Sequence, residues 1–136
     1  MEKFKFLEHT ADIKFQAFGN SLNEAFENSA LAMFHSMCEG KIKGNIKKTI
    51  KVRGTDLESL LYNFLEEFLF LLDTESFFLS KIKVKISKDK HSLAAELNGD
   101  KSKNYKTSVD VKAITYNDMF VKKLKDKYIC QVVLDV

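Results

Sequence analysis

The sequence predicts an α+β fold in which two main helices pack on one face of a largely antiparallel β-sheet. Two segments place apolar residues at the three- and four-residue spacing of amphipathic helices, and each follows a polar cap. Most of the remaining chain alternates apolar and polar residues between turn-forming segments, which is typical of strands. Helices combined with hairpin-linked strands indicate a two-layer domain. At 136 residues, the chain is predicted to form a single domain over residues 1–136.

Both helices have recognisable N-terminal signals. Ser21-Leu22-Asn23-Glu24 has the form of a capping box, in which Ser21 accepts from the Glu24 amide and Glu24 reaches back to the Ser21 amide. Apolar residues then recur as far as Met37, and Gly40 is expected to supply a left-handed cap. A second box at residues 55–58 opens a helix over residues 57–72. This is the most hydrophobic segment and is predicted to be the central core helix.

The strands are predicted from alternation and from the turns between them. The segment 98–100, Asn-Gly-Asp, is expected to end a strand, and residues 101–107 are expected to form a mobile surface loop. Lys48 shares the apolar face of its strand, which predicts a bulge or an edge position. The predicted strands cover residues 4–7, 13–18, 46–52, 77–87, 92–97, 109–116, 119–124 and 128–135.

Composition indicates a soluble globular protein, with 45% hydrophobic and 30% charged residues. No leader-like or membrane-spanning segment is recognisable, so the expectation is a cytoplasmic protein without membrane association. The two cysteines, Cys38 and Cys130, form neither a disulfide framework nor a zinc signature. Cys130 alternates with apolar neighbours and is predicted to be a small buried residue.

Lysine dominates the basic residues, and Arg53 is the only arginine in a chain of net charge +3. One predicted strand alternates Lys81, Lys83 and Lys85, which would form a basic sheet face if the strand bearing Lys47 and Lys51 lies nearby. Such rows are commonly solvated or guard a sheet edge. No aromatic residues interleave with these lysines in the way that single-strand binders show, which argues against nucleic-acid binding.

A polar segment interrupts the first strands and brings His9 and Asp12 close together in sequence. The last strand ends in Asp135, followed by Val136. If these segments meet, carboxylate oxygens converge, and such hard ligands suit Mg²⁺ or Ca²⁺. The expectation is a divalent-metal site formed by Asp12, Asp135 and the terminal oxygen of Val136. His9 is either a base, a ligand or a structural imidazole.

The segment 109–116 places Asp110, Lys112, Ile114 and Tyr116 on one face of a predicted strand. Lys112 either forms a solvated pair with Asp110 or faces an anionic partner. The sequence contains no nucleophile elbow, phosphate-binding glycine loop or metalloprotease motif. We therefore expect a metal site without a catalytic apparatus, in a protein that is not itself an enzyme.

Five segments together resemble the archease family. They span most of the chain in order, and the His-Thr-Ala-Asp and Lys-Ala-Ile-Thr-Tyr stretches are the most specific among them. The segments are residues 6–13, the joint at Gly19, the helix over residues 60–73, residues 111–116 and residues 134–136.

The resemblance implies an accessory protein that activates an RtcB-type RNA ligase. Such a ligase joins RNA ends in tRNA splicing or RNA repair, using GTP and a divalent metal through a guanylylated histidine. The accessory protein promotes guanylylation and multiple turnover, and meets tRNA or other RNA only through the ligase. By position, Asp12 and Asp135 would bind a metal, with Ca²⁺ favoured over Mg²⁺, and Val136 would add an oxygen. Lys112 would serve activation, and His9 would face the partner.

The chain departs from the family pattern at three places. Asn117 stands where a histidine is expected after Thr-Tyr, Phe64 replaces an expected tryptophan, and residues 101–107 lack an expected histidine. Two alternative functions follow from the same residues. One is a stand-alone metal-dependent enzyme acting on a nucleotide or phosphorylated substrate. The other is a general protein chaperone that uses an exposed apolar surface.

Overall fold

A computed structural model describes residues 2–136, and shows two α-helices and seven strands in this part of the chain. A short 3-10 turn lies at Ser102–Asn104. The elements in chain order are β1 Phe4–Leu7, β2 Asp12–Gly19, α1 Leu22–Met37, β3 Ile46–Arg53, α2 Leu57–Glu75, β4 Phe77–Ile86, β5 Ser92–Lys101, β6 Ala113–Leu124 and β7 Lys127–Asp135.

The predicted α+β class is confirmed, but the strands form two antiparallel sheets instead of one. The first sheet has the order β1-β2-β7-β6, and the second has the order β3-β5-β4. The division arises because β3 pairs with β5 along its whole length, from Ile46 opposite Gly99 to Arg53 opposite Ser92. Alternation in sequence identifies the faces of a strand but not its neighbour, so the division was not predictable from the pattern.

The helices fill the space between the inner faces of the sheets. α1 contacts β2 of one sheet and β4 of the other, whereas α2 packs mainly on β6 and β3. Phe34 meets Phe68 and Phe78 edge-on, at ring-centroid distances of 5.7 and 5.5 Å. On the exposed edge of β4, Asn23 and Glu27 of α1 accept from two backbone amides at 2.9 and 2.8 Å. α1 therefore covers an edge that would otherwise be open to pairing.

The helix starts agree with the capping predictions in part. Ser21 Oγ accepts from the Glu24 amide at 3.1 Å, as predicted, but Glu24 accepts from Asn20 instead of Ser21. The second capping box lies one residue later than predicted. Asp56 accepts from the Ser59 amide at 2.7 Å, and Ser59 Oγ accepts from the Asp56 amide at 3.1 Å. The carboxylate of Asp56 is a good N-cap acceptor, so the helix begins after it.

The predicted left-handed cap at Gly40 is wrong. α1 ends at Met37, and the C-cap residue Cys38 has extended backbone and donates its amide to the Phe34 carbonyl at 2.9 Å. No glycine in residues 2–136 has a positive φ. The left-handed cap belongs instead to α2, where Ser76 has φ 53°.

The prediction that residues 98–100 end a strand is also wrong, because β5 continues to Lys101. Gly99 lies inside the sheet, where a Cβ atom would meet the Phe78 carbonyl oxygen at 2.0 Å. Glycine is needed for this close approach and does not act as a breaker here. The register between β4 and β5 shifts at the same place, between Leu79 and Lys81.

β6 combines two predicted strands. Its pairing with β7 shifts between Thr115 and Phe120, and Asp118 within this bulge has φ 54°. The strand begins at Ala113, so the predicted strand over residues 109–116 is too long at its start. Asp110 and Lys112 lie in the irregular segment before it.

The segment expected to be a mobile loop is anchored by one side chain. Tyr105 donates to Asp100 at 2.7 Å, accepts from the Lys43 amide at 2.9 Å and stacks on Phe78 at 6.1 Å. The Tyr105 hydroxyl, helped by the Lys101 amide, lowers the pKa of Asp100. The loop therefore contributes to the fold of the second sheet.

Two smaller predictions are confirmed. Cys130 is fully buried, and burial raises the pKa of its thiol to about 12. Lys48 lies on β3, an edge strand whose register is unbroken. The edge position, and not a bulge, therefore explains why a lysine shares the apolar face of this strand. Its ammonium pairs with Glu75. No helix within residues 2–136 combines the length and the apolar composition that crossing a membrane requires.

Candidate functional site

The first and last residues of two neighbouring strands bring the predicted carboxylates together. Asp12 begins β2 and Asp135 ends β7, and the antiparallel register places them directly opposite each other. Directly paired residues share one face of a sheet, with Cβ atoms about 4.5–5.5 Å apart. The predicted meeting of these two segments is therefore what the structure shows.

His9 lies beside this pair. Its Nδ1 is 3.5 Å from Asp12 Oδ2, and both side chains are partly exposed. The chain turns between them at Ala11, whose φ of 65° lies in the left-handed region. This turn brings the imidazole back beside the first residue of β2, so His9 belongs to the site.

Lys112 is connected to the site through its backbone. Its amide donates to the Asp135 carbonyl at 2.7 Å, and the next residue, Ala113, pairs with Asp135 in the β6–β7 register. Asp12, Asp135 and Ala113 thus form one row across three strands, and Lys112, whose side chain is exposed, directly precedes Ala113 in the chain. The structure therefore places the five predicted site residues, His9, Asp12, Lys112, Asp135 and Val136, at one end of the first sheet, and their one side-chain contact joins His9 and Asp12.

The predicted strand face around Lys112 needs correction. Ile114 is buried in the core, whereas Tyr116 is 54% exposed and stacks on Tyr62 of α2 at 4.3 Å. The bulge in β6 disrupts the alternation, so the residues of this segment do not share one regular face. Asn117 lies exposed in the bulge, and Phe64, another of the three departures from the family pattern, is fully buried in the core.

The donor set fits a hard, hydrated cation. Two opposed carboxylates and the oxygens of the adjoining Val136 are ligands that Ca²⁺ and Mg²⁺ accept, with water completing the shell. Within residues 2–136, no three or more His, Cys, Asp or Glu side chains cluster as a ready-made metal cage. The set does not match structural zinc, which takes four protein ligands that are mostly Cys and His.

The sequence interpretation missed residues from the end of α1. A depression of about 290 Å³ adjoins Asp12, and His35 and Glu39 line it together with Lys14. His35 lies against Phe6, with ring centroids 6.0 Å apart. No local sequence pattern indicates that His35 and Glu39 lie near Asp12, because α1 reaches β1 and β2 only through tertiary packing.

A polar network continues from the site along the outer face of the first sheet. Lys14 Nζ lies 3.4 Å from Asp118 Oδ2, which belongs to the bulge of β6. Gln131 donates to the Asp118 carbonyl at 2.7 Å and accepts from Gln16 at 2.8 Å. These bonds hold the bulge against β2 and β7.

The chain matches one protein family over nearly all its length. Residues 4–136 match the family described as the Archease protein family (MTH1598/TM1083). A protein archease of Pyrococcus furiosus is 42% identical, and the match covers 100% of both chains. A protein archease of Methanosarcina acetivorans is 37% identical over 99% of this chain and 97% of its own.

Solved structures agree with the sequence comparison. The solution structure of protein 1598 from Methanobacterium thermoautotrophicum superimposes with a TM-score of 0.87 at 36% identity, covering 100% of both chains. The crystal structure of an archease from Thermotoga maritima, described as a possible chaperone, matches with a TM-score of 0.70 at 20% identity. It covers 97% of this chain and 96% of its own, and at this identity it supports the fold alone. By family match, sequence identity and fold together, the chain belongs to the archease family.

Proposed function

We propose that this protein is an accessory factor that activates an RtcB-type RNA ligase, in the cytoplasm, by promoting guanylylation of the ligase. The observation that supports this most is the direct pairing of Asp12 with Asp135, with His9 and Lys112 beside it. Carboxylates, imidazole and lysine at one exposed end of a sheet suit a site that acts on a partner's phosphates. Guanylylation is a phosphoryl-type transfer, which depends largely on positioning and electrostatics.

The proposal includes a divalent cation bound at this site. Asp12, Asp135 and Val136 would hold it, and it would supply positive charge toward triphosphate or pyrophosphate oxygens. The resemblance to the family favours Ca²⁺ over Mg²⁺, and a set of two carboxylates, a chain oxygen and water is chemically compatible with either ion. Without a cation, the two facing carboxylates repel each other.

Lys112 and His9 have separate tasks in this proposal. The hydrogen bond from the Lys112 amide to Asp135 fixes the backbone, while the exposed ammonium reaches toward the partner. Lysine suits this task as a compact point charge for phosphate. His9, held beside Asp12, contributes a polar donor at the same surface.

The shape of the site is compatible with an activator. The depression beside Asp12 has a volume of about 290 Å³, at the lower end of the range of about 300–1,000 Å³ that small-molecule sites usually enclose. An open and shallow site suits residues that are presented to another protein's active centre. The ligase would then supply the nucleophilic histidine and the nucleotide pocket.

A joining assay with the cognate ligase, RNA ends, GTP and metal tests the proposal. Sub-stoichiometric amounts of the protein should convert single-turnover joining into multiple turnover, and Asp12→Ala and Asp135→Ala should remain folded but lose the stimulation. The enzyme alternative predicts a different result. If the purified protein alone turns over GTP, and these substitutions abolish that turnover, the activator proposal is wrong.

A chaperone activity is the second candidate, because several large apolar side chains are exposed. They lie on three separate elements, β1, α2 and β6, and single exposed apolar residues are common on soluble proteins. Stimulated refolding of an unrelated client, lost in Phe70→Ala and retained in Asp12→Ala, would favour this candidate. The exposed residues are Phe6, Phe70, Tyr116 and Leu124.

A further inference from the structure

The solvent-facing side of the second sheet gathers basic side chains from both of its outer strands. Strand alternation exposes every second residue of β3 and β4, and almost all of these residues are basic. We call this surface the lysine face. Its basic residues are Lys47, Lys51 and Arg53 on β3, and Lys81, Lys83 and Lys85 on β4.

The lysine face has the form of a shallow trough. The register places Lys47 and Lys81 on either side of Asn98, and Lys51 and Lys85 on either side of Ala94. At these two levels the central strand therefore has short side chains between long ones. The two outer strands lie about 9–10 Å apart at the usual strand spacing. A depression of about 590 Å³ opens at one end of this trough, between Arg53 and Lys85.

The charge of this face is not balanced locally. Six basic side chains and one acidic side chain, Glu96, leave +5 here, whereas the whole chain carries +3. Within residues 2–136, none of the six forms an ion pair with a carboxylate. Acidic residues of α2 share a depression with Lys51 and Arg53, and Glu24 and Glu27 of α1 share another with Lys81. Both ridges therefore have carboxylates beside one part of their length, and neither Lys83 nor Lys85 lines these two depressions.

We propose that the lysine face binds the phosphate backbone of duplex RNA. Basic side chains in rows on two ridges suit contacts with phosphates, which depend on charge and not on sequence. The face carries no aromatic side chain on which the bases of a single strand could stack. It also carries no large apolar residue of the kind that anchors a protein partner.

This inference goes beyond the proposed function, in which RNA is met only through the ligase. Binding can be measured on the protein alone, so its failure is distinguishable from a failure of ligase activation. The proposed activating site at Asp12 and Asp135 lies on the first sheet, whereas the lysine face lies on the second.

Fluorescence anisotropy with a labelled RNA hairpin tests the proposal. The combined variant Lys81→Gln, Lys83→Gln and Lys85→Gln should weaken binding at least about tenfold and reduce the slope of log K against log salt by about three. The matched control removes the same charge from the end of β6 and its turn, through Lys122→Gln, Lys123→Gln and Lys125→Gln. The control should retain most of the affinity.

A gain of affinity provides an independent readout. Glu96 lies opposite Lys83 and is the only acidic side chain on the face, so Glu96→Gln should tighten hairpin binding. Melting temperatures of all variants establish that they are folded. If the β4 variant does not fold, Lys47→Gln with Lys51→Gln makes the same test on the other ridge.

Several outcomes would overturn the proposal. Equal losses in the β4 variant and its control would mean that net charge alone governs binding. Tighter binding to an unstructured oligonucleotide of equal length would exclude duplex recognition. Stronger binding to polyglutamate or to phosphatidylserine vesicles would assign the face to an acidic protein or to a membrane surface, and no binding to the hairpin at low salt would exclude RNA altogether.

Discussion

The carboxylate end of the first sheet and the lysine face of the second sheet differ in how the chain builds them. Asp12 and Asp135 are 123 residues apart in sequence and meet only because β2 pairs with β7 in one register. The lysines of β4 are two residues apart and share a face through strand alternation alone. A one-residue slip between β2 and β7 would separate the carboxylates. The lysines within β3 or within β4 stay on one face in any register in which that face of the strand remains exposed to solvent.

The core that supports both regions should show the largest effect of a substitution on stability. Leu61, fully buried in α2, packs in the core that the helices share with both sheets. Leu61→Ala should lower the free energy of unfolding by about 2–5 kcal/mol through loss of contacts and cavity formation, as measured by denaturant unfolding. Phe70→Ala on the same helix removes a side chain that is 57% exposed. It should change stability by no more than about 0.5 kcal/mol, and a similar cost for both would contradict the assigned burial.

Metal addition should distinguish the two regions next. A cation at about 100 times its dissociation constant should stabilise the wild-type fold by about 2.7 kcal/mol. Asp12→Ala should remove this response, because one of the two opposed carboxylates is lost, while the β4 lysine variant should retain it. Thermal melts with Ca²⁺, Mg²⁺ and chelator measure the effect. Melting that is independent of metal, or an equal response in Asp12→Ala, would count against the site.

Parts of both regions were predictable from the sequence, for different reasons. The lysine ridge follows from period-two alternation, which is a local signal. The meeting of Asp12 with Asp135 was predicted only on the condition that the two strands are neighbours, and pairing is not a local signal. His35 and Glu39 were missed, because the approach of α1 to Asp12 depends on helix packing.

The errors in the predicted strands have a common physical cause. Gly99 was read as a strand breaker, yet its missing side chain allows β4 to approach β5 closely. The sequence predicts a gap between two strands at residues 117 and 118, yet both residues lie within a bulge of β6, and β7 pairs on both sides of that bulge. In both places, a tertiary contact decides the role of residues whose local preference is for a turn.

Acid should weaken the second sheet through Asp100. Its pKa is lowered by the Tyr105 hydroxyl, so its contribution to stability is fully present above about pH 4. The contribution is lost as pH falls through the lowered folded-state pKa. Tyr105→Phe should therefore destabilise the protein at pH 7, and the difference from wild type should shrink below about pH 4. Urea unfolding at both pH values measures this, and a difference independent of pH would contradict the role of the hydrogen bond.

The smallest expected effect on stability is at Lys112. Its side chain is exposed, and the bond to Asp135 uses its backbone amide, which an alanine retains. Lys112→Ala should change the free energy of unfolding by no more than about 0.5 kcal/mol, yet abolish stimulation of the ligase. Unfolding of this variant, or full stimulation by it, would show that Lys112 does not have the proposed role.

The rate of ligase guanylylation in the absence of RNA tests the central claim most directly. With GTP, metal and cognate ligase, wild-type protein and the β4 lysine variant should accelerate formation of the guanylylated ligase equally, because no RNA is present to occupy the lysine face. Asp12→Ala should give no acceleration although it remains folded. If Asp12→Ala accelerates guanylylation as well as the wild type does, the paired carboxylates are not the activating site.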